Sequence, residues 1–417
     1  MRLPLELDFA YSQRRRNLGL KRVVLACFCE DPNLGDPIIF YSFAYLLRSF
    51  SPDVEIIPLD LWGRKPGSIA LEDRKQALEG RKGTGFFARL PLSLIRRLPS
   101  GGLRTHLEWK VNPDHERRFR RYCERRLEGA DLVVFPGGGI FECTSQHQYC
   151  LMIDMVSKLC EKQDIPVFFN AAGLVVDERH MYGWGKLRRA LGRRSVKSVT
   201  CRDGVEWVNS HLLPPGKSAR LVPCSALYAS EAFGVTWEPE KNAAGIGVIR
   251  GNVLSSYGKS FSEEDLLSLY KGIIQELSGM GFRCYIFTDG FIGDYKFACS
   301  LSEKAPEAVL LPRPVEPSVL VRQISRFSAI VTARLHSCIT AYSLGVPMVG
   351  LVWNKKVSDF FSLIGKPHAA IEPERFSPEE VIRTLQGELE SPYDKETRER
   401  LRAAVREGVR EIAEASL

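Results

Sequence analysis

VTARLHSCITAYSLGVPMVGLVWNKKV, Val331 to Val357, reads as strand, helix and strand in succession. The apolar run 329–333 predicts a buried strand, and 335–344 follows as a helix of small residues that can lie close to a sheet. Gly345 stands where a helix stops in the left-handed conformation, with Pro347 just beyond it. The next apolar run, 347–353, predicts a second strand. A strand, helix and strand of this length imply a parallel pair joined by a crossover. Arg334 and His336 then leave the first strand at its carboxyl end, beside a helix N-terminus. Lys355 or Lys356 leaves the second strand on the same sheet edge. Cationic and proton-carrying side chains gathered at a helix N-terminus make a ready anion site.

The same alternation extends outward through the chain. Short apolar runs at 22–29, 54–59, 131–136, 165–173 and 198–202 predict strands in the first half, with helical patterns near 37–50, 114–128, 147–162, 183–193 and 203–212 between them. In the second half the predicted strands are 245–251, 283–290, 308–312, 329–333 and 347–353. The predicted helices are near 262–279, 291–303, 316–327, 335–344, 357–364 and 378–389, with a last charged amphipathic helix at 394–415. Alternating strands and helices predict α/β architecture with parallel sheets covered on both faces. The polar, aperiodic stretch 230–245 marks the break, giving two Rossmann-like doubly wound domains, 1–235 and 236–417, expected to face each other across a cleft.

The chain has 417 residues, 44% hydrophobic and 26% charged, in the ordinary range for a soluble globular protein. No run reaches 18 apolar residues, so no transmembrane helix is expected, and the N-terminus lacks the apolar core of a signal peptide. Eleven cysteines form no C-x-x-C pair, which argues against a zinc ribbon or thioredoxin-like motif. Cys27, Cys29, Cys201 and Cys284 sit in strand-like runs and read as buried thiols, fitting a reducing, cytoplasmic setting. The formal charge of +8 is concentrated: residues 81–126 hold 13 basic and 4 acidic side chains. This insertion reads first as a solvated helix face with a loop; the alternative, prompted by its apolar pieces, is peripheral contact with an anionic membrane at its inner face. No motif or aromatic platform points to nucleic acid.

Three further stretches lie where strand exits should line a site. Asn33, Gly35 and Asp36 follow the first strand, with Pro37 in position to open a helix and Asp36 to cap it. Gly137, Gly138 and Gly139 follow another strand, where bare backbone can approach a ligand and offer N–H groups to an oxyanion. They match neither G-x-G-x-x-G nor a Walker motif. Arg202 leaves a third strand, followed by Asp203 as a helix cap. A guanidinium there can grip a carboxylate or phosphate in bidentate fashion.

Taken together, Asn33-Leu34-Gly35-Asp36, Gly137 to Gly139 with Phe141, Arg202-Asp203, Arg334-Leu335-His336, Gly345-Val346-Pro347 and Trp353-Asn354-Lys355-Lys356-Val357 resemble the polysaccharide pyruvyl transferase family over roughly residues 22–365. The resemblance implies a GT-B-like fold. It also implies transfer of pyruvate from phosphoenolpyruvate to a sugar, or to a lipid-linked oligosaccharide, as a ketal. It implies that Arg202, Arg334 and Lys356 bind the donor's carboxylate and phosphate, and that His336 is the catalytic acid/base. No cofactor is expected beyond the donor substrate, and no metal-ligand cluster is visible. This chain has Asn354 where relatives usually carry Asp, and 170–174 (NAAGL) replaces a turn richer in Gly and Gln. A nucleotide-sugar glycosyltransferase and a non-catalytic sugar-binding protein are the competing expectations on the same architecture.

Overall fold

The apolar runs become strands because β-branched and aliphatic residues fill both faces of each. Arg22–Cys27 (β1) and Leu132–Phe135 (β3) are buried at every position. The structure, a computed structural model, describes residues 21–64, 113–143, 149–176, 183–251, 253–254, 261–391 and 393–415. Contacts divide the chain into two units: Met1–Glu30, Leu46–Val222 and Glu407–Leu417 form the first, and Asp31–Tyr45 with Pro223–Arg406 the second.

Among the described residues, the first unit holds a seven-stranded sheet in the order β2-β1-β3-β5-β6-β7, with β4 also on β5. Its remaining strands are Glu55–Asp60 (β2), Gly138–Cys143 (β4), Val167–Val176 (β5), Val196–Cys201 (β6) and Ala219–Leu221 (β7). Every described pairing is parallel, for example Val24 with Ile57 and Val133 with Val167. Helix α1 (Gly35–Phe50) follows β1 and runs from residues of the second unit into the first. Helices α2 (Pro113–Leu127), α3 (Tyr149–Lys162), α4 (Trp184–Gly192) and α5 (Val205–His211) follow in order. Phe119, Cys123, Val156, Leu187 and Val208 from these helices join β-strand residues such as Phe135 and Phe169 in one core.

From Pro223 onward the second unit continues through the short helix α6 (Ala229–Phe233). Its six-stranded sheet has the order β10-β9-β8-β11-β12-β13 among the described residues, again parallel throughout. The strands are Ala243–Gly247 (β8), Arg283–Phe287 (β9), Val309–Leu310 (β10), Ala329–Thr332 (β11), Met348–Leu351 (β12) and Ala370–Ile371 (β13). Helices α7 (Glu263–Gly279), α8 (Ile292–Lys304), α9 (Pro317–Ser325), α10 (Leu335–Leu344), α11 (Lys355–Leu363) and α12 (Pro378–Glu390) cover it, and α13 (Lys395–Glu414) ends the chain. Ser262 caps α7 in a full capping box with Asp265. Gly345 ends α10 at φ +92°, as its sequence position predicts. Strand order reverses between β8 and β11, the place where a doubly wound sheet opens a crevice outside its strand ends.

Two expectations change. The glycines Gly137 to Gly139 lead into a further strand before any helix. Gly137 (φ +124°) and Gly138 (φ +90°) bend the backbone after Pro136, and the chain resumes as β4 along the same edge of β5 that β3 has just left. Of the three glycines, Gly138 is paired with β5, opposite Ala172, and the register shifts before the pairing resumes at Phe141. Asp36 is not the cap of α1. Asp31 and Asn33 make side-chain turns onto the N–H groups of Asn33 and Gly35, and the helix starts at Gly35 with Asp36 in its first turn.

Ten cysteines are described as free thiols, nine of them buried, including Cys27, Cys29, Cys201 and Cys284. No described helix is long and apolar enough to cross a membrane. Of the basic stretch 81–126, residues 81–112 lie outside the described residues. The membrane contact expected of it falls mainly there.

Candidate functional site

In the second unit, the strand-order reversal places the exits of β8 and β11 side by side. Gly247 permits this close approach, since a Cβ there would stand 2.3 Å from Thr332 Oγ1. Arg334 leaves β11 and Arg250 leaves β8. Between them lies Asp294, in the first turn of α8 and fully buried. Arg334 Nε donates to Asp294 Oδ2 at 2.9 Å and its Nη2 donates to the same oxygen. The other oxygen accepts the Arg250 backbone N–H at 3.1 Å and faces Arg250 Nη1 at 3.8 Å. Burial alone would depress the Arg334 guanidinium. The Asp294 and Asp289 carboxylates outweigh it and hold the group above its usual pKa.

Asp289 follows β9 and is buried, its carboxylate accepting from the Ser337 hydroxyl in the first turn of α10. Its backbone carbonyl accepts the Leu34 N–H at 2.9 Å, so the loop entering α1 is pinned to the end of β9. Gly290 is required here: it has φ +95°, and a Cβ would meet the Pro32 carbonyl oxygen at 2.6 Å. Burial pushes the Asp289 carboxyl up to about 6, against the pull of Arg334 and the Ser337 hydrogen bond. Between about pH 4 and 6 the folded protein therefore keeps a proton that the unfolded chain has released, and rising pH favours unfolding. The stability from this group is full below the unfolded carboxyl's pKa and is lost as pH passes 6. Asp289→Asn is expected to remove this slope and raise stability at pH 7 by about 2–3 kcal/mol, checked by urea unfolding across pH 4–8.

His336 sits one residue into α10, against the entry of α1. A Cβ on Gly35 would lie 2.0 Å from His336 Nδ1 and 2.8 Å from His336 Cβ. Only a glycine leaves room for the imidazole. Gly35→Ala is expected to displace the ring and lower kcat by about 100-fold, at a stability cost of about 1–3 kcal/mol. Steady-state kinetics beside thermal unfolding checks both.

Lys356 is tied to the same edge. Its Nζ lies 5.5 Å from the centre of the Trp353 ring, and the Trp353 indole N–H donates to the Ala333 carbonyl at 2.7 Å, just ahead of Arg334. Lys355 is instead exposed and paired with Asp359. Asn354, the departure from the related pattern, caps α11 by accepting the Lys356 N–H at 3.2 Å. Asn serves that position as well as Asp does. Asn33, Gly35, Asp36, Arg334, His336 and Lys356 thus all belong to the second unit.

Arg202 and Gly137 to Gly139 belong to the first. The Arg202 side chain is buried beside Asp203. Its guanidinium lies against Gly173, where a Cβ would stand 2.7 Å from Nε and Nη2. Asp203 does not cap α5. Its carboxylate accepts the Leu174 N–H at 2.6 Å and faces Arg202 Nε at 3.4 Å. The NAAGL stretch therefore makes the platform for Arg202. Its backbone is bent at Ala171 (φ +48°), whose N–H donates to Thr200 Oγ1, and the β5–β6 register shifts between Phe169 and Ala172. Bulges of this kind cluster beside functional sites because they re-aim side chains.

Arg250, Asp289 and Asp294 escape the sequence reading. Arg250 had a signal, since it follows β8 just as Arg202 and Arg334 follow their strands. Asp294 had none: it looks like any acid in a helix's first turn. Among the described residues no group of three or more His, Cys, Asp or Glu is arranged to hold a metal ion.

Two doubly wound parallel sheets in one chain, with a charged crevice at a strand-order reversal, define a GT-B-like protein. The UDP-GlcNAc 2-epimerase of Methanocaldococcus jannaschii superposes with a TM-score of 0.53 at 12% identity, over 90% of this chain and 94% of that one. Medicago truncatula UGT71G1, complexed with UDP-glucose, gives 0.50 at 11% identity, over 95% and 98%. At such identities the likeness is one of fold. No curated protein matches significantly. The chain belongs to the polysaccharide pyruvyl transferase family, whose model matches residues 33–355.

Proposed function

We propose that this protein moves the pyruvyl group of phosphoenolpyruvate onto two hydroxyls of one sugar in a surface-polysaccharide precursor, free or lipid-linked, releasing inorganic phosphate. Family membership supports a transferase acting on polysaccharide. The observation that carries the finer reading is the meeting of three separated motifs at one sheet edge: the Asn33–Asp36 loop, Arg334 with His336, and Trp353 with Lys356.

The donor carries a phosphate and a carboxylate, so its site needs several fixed cations. Arg202, Arg334 and Lys356 are assigned to those groups. In the first step a sugar hydroxyl attacks C2 while C3 gains a proton and becomes a methyl group. In the second, another hydroxyl of the same sugar displaces phosphate from C2, closing the ketal. Each attacking hydroxyl loses a proton, and His336 is the group assigned to proton transfer because imidazole titrates near neutrality. The carbon skeleton is transferred without net oxidation, so no redox cofactor is called for. We place the reaction in the cytoplasm, with residues 81–126 as a contact for the anionic inner face of the membrane.

The test is incubation with phosphoenolpyruvate and a panel of sugar-nucleotide, lipid-linked and oligosaccharide acceptors. Phosphate release with a matching pyruvylated product is expected. Binding of a UDP- or GDP-sugar with no binding of phosphoenolpyruvate would overturn the assignment in favour of glycosyl transfer.

A further inference from the structure

Asp289 stands where the two walls of the His336 seat are tied together. Its carboxylate accepts the Ser337 hydroxyl, and its backbone carbonyl accepts the Leu34 N–H at 2.9 Å. Ser337 is the neighbour of His336 in the first turn of α10. Leu34 is the neighbour of Gly35, against which the His336 ring is seated. One residue therefore holds both the helix that carries the imidazole and the loop that receives it. Gly290 lets this corner close, since a Cβ there would stand 2.9 Å from Leu34 Cγ and 2.9 Å from the Pro314 carbonyl oxygen.

The first turn of α10 needs such a hold. Its opening N–H groups have no partners within the helix. Arg334 occupies the cap position and gives them no side-chain hydrogen bond. Asp289 and Ser337 are 1% and 0% exposed, so water does not compete for their bond. A carboxylate at this place also meets the positive end of the helix dipole. The fit at Gly35 leaves no slack: a Cβ there would already lie 2.5 Å from the imidazole Cγ, so a small displacement of either wall moves the ring.

We propose that Asp289 is the positioning residue for His336, its carboxylate fixing the start of α10 through Ser337 and its carbonyl fixing the Gly35 loop through Leu34. This rests on the reading of His336 as the proton-transfer group. Asp289 itself is buried and touches no substrate.

Steady-state phosphate release by the full chain, with phosphoenolpyruvate and acceptor, tests the assignment. Ser337→Ala removes the hydroxyl and leaves the carboxylate. It is expected to lower kcat about 10- to 100-fold, the cost of a misplaced catalytic group, with the KM for phosphoenolpyruvate within about threefold of wild type. Asp289→Ala should lose kcat to a similar degree, and the double variant should be no slower than the slower single one, because both remove one link. Asp289→Asn keeps an oxygen that accepts the Ser337 hydroxyl and should restore most of what Asp289→Ala loses. The Leu34 link runs through the backbone, so these variants read the carboxylate alone. Ser337→Ala serves by itself if Asp289→Ala fails to fold. A loss in Ser337→Ala smaller than about tenfold in kcat, losses that multiply in the double variant, or a rise in the KM of both substrates overturns the proposal and leaves the role of His336 standing. Near-wild-type turnover in His336→Asn overturns the reading of His336, and the role of Asp289 with it.

Discussion

Replacing His336 with asparagine is expected to slow phosphate release from phosphoenolpyruvate by about 10²- to 10⁴-fold, the usual contribution of a positioned acid or base, with little change in thermal unfolding. The side chain stands at the start of α10, whose buried face from Ser337 to Leu344 does not depend on it. Asparagine keeps a polar group of similar reach over Gly35 but cannot take or give a proton near neutral pH. The pH profile of kcat should also lose the limb that belongs to the imidazole. Turnover within tenfold of wild type would remove His336 from the chemistry, whatever the effect on binding.

Asp294→Ala is expected to destabilise the fold by about 3–5 kcal/mol, the cost of leaving one member of a buried ion pair behind. The Arg334 guanidinium would lose the acceptor of its Nε and Nη2, and the Arg250 backbone N–H would lose its acceptor too. The pairing itself is a separate matter, because an apolar replacement of both partners can be close to neutral. Arg334→Met with Asp294→Leu should therefore recover much of the stability lost by Asp294→Ala while remaining defective with phosphoenolpyruvate. Chemical unfolding of the single and double variants measures the difference. Equal destabilisation in both would assign the loss to packing around α8 and not to an orphaned charge.

The alternation of apolar runs was enough to predict two parallel sheets, because strands covered on both faces leave an unbroken hydrophobic signature. Helix α10 is predicted over the residues it occupies, 335–344, since Arg334 before it and Gly345 after it fix both ends. The strands that escape are those with weak local signal: β7 and β13 are three and two residues long, and β4 begins with glycines that argue for a turn. Only pairing with β5, supplied from more than thirty residues further on, makes β4 a strand. Arg202, Arg334 and His336 are visible because each stands directly after an apolar run. What surrounds them is not. Gly173 and Gly35 look like ordinary loop glycines until the guanidinium of Arg202 and the imidazole of His336 are placed against them. The partnership of Asp294 with Arg334 spans forty residues and two elements, and neither residue announces the other. Sequence carries the periodic part of the fold and the exits of its strands, while the pairing of charges depends on how those exits are brought together.

The pinning of Leu34 to Asp289 and the seating of His336 on Gly35 bear on how this protein can be recombined. Residues 31–45 belong to the same compact unit as 223–406, although nearly 180 residues of sequence separate them. A hybrid spliced at the composition break near 235, exchanging one half with that of a relative, would bring in a foreign segment to form the seat of its own histidine. Exchanging one half between members calls for two junctions that leave Asp31–Tyr45 with the carboxyl-terminal half, so that the inherited imidazole meets the glycine it was shaped beside.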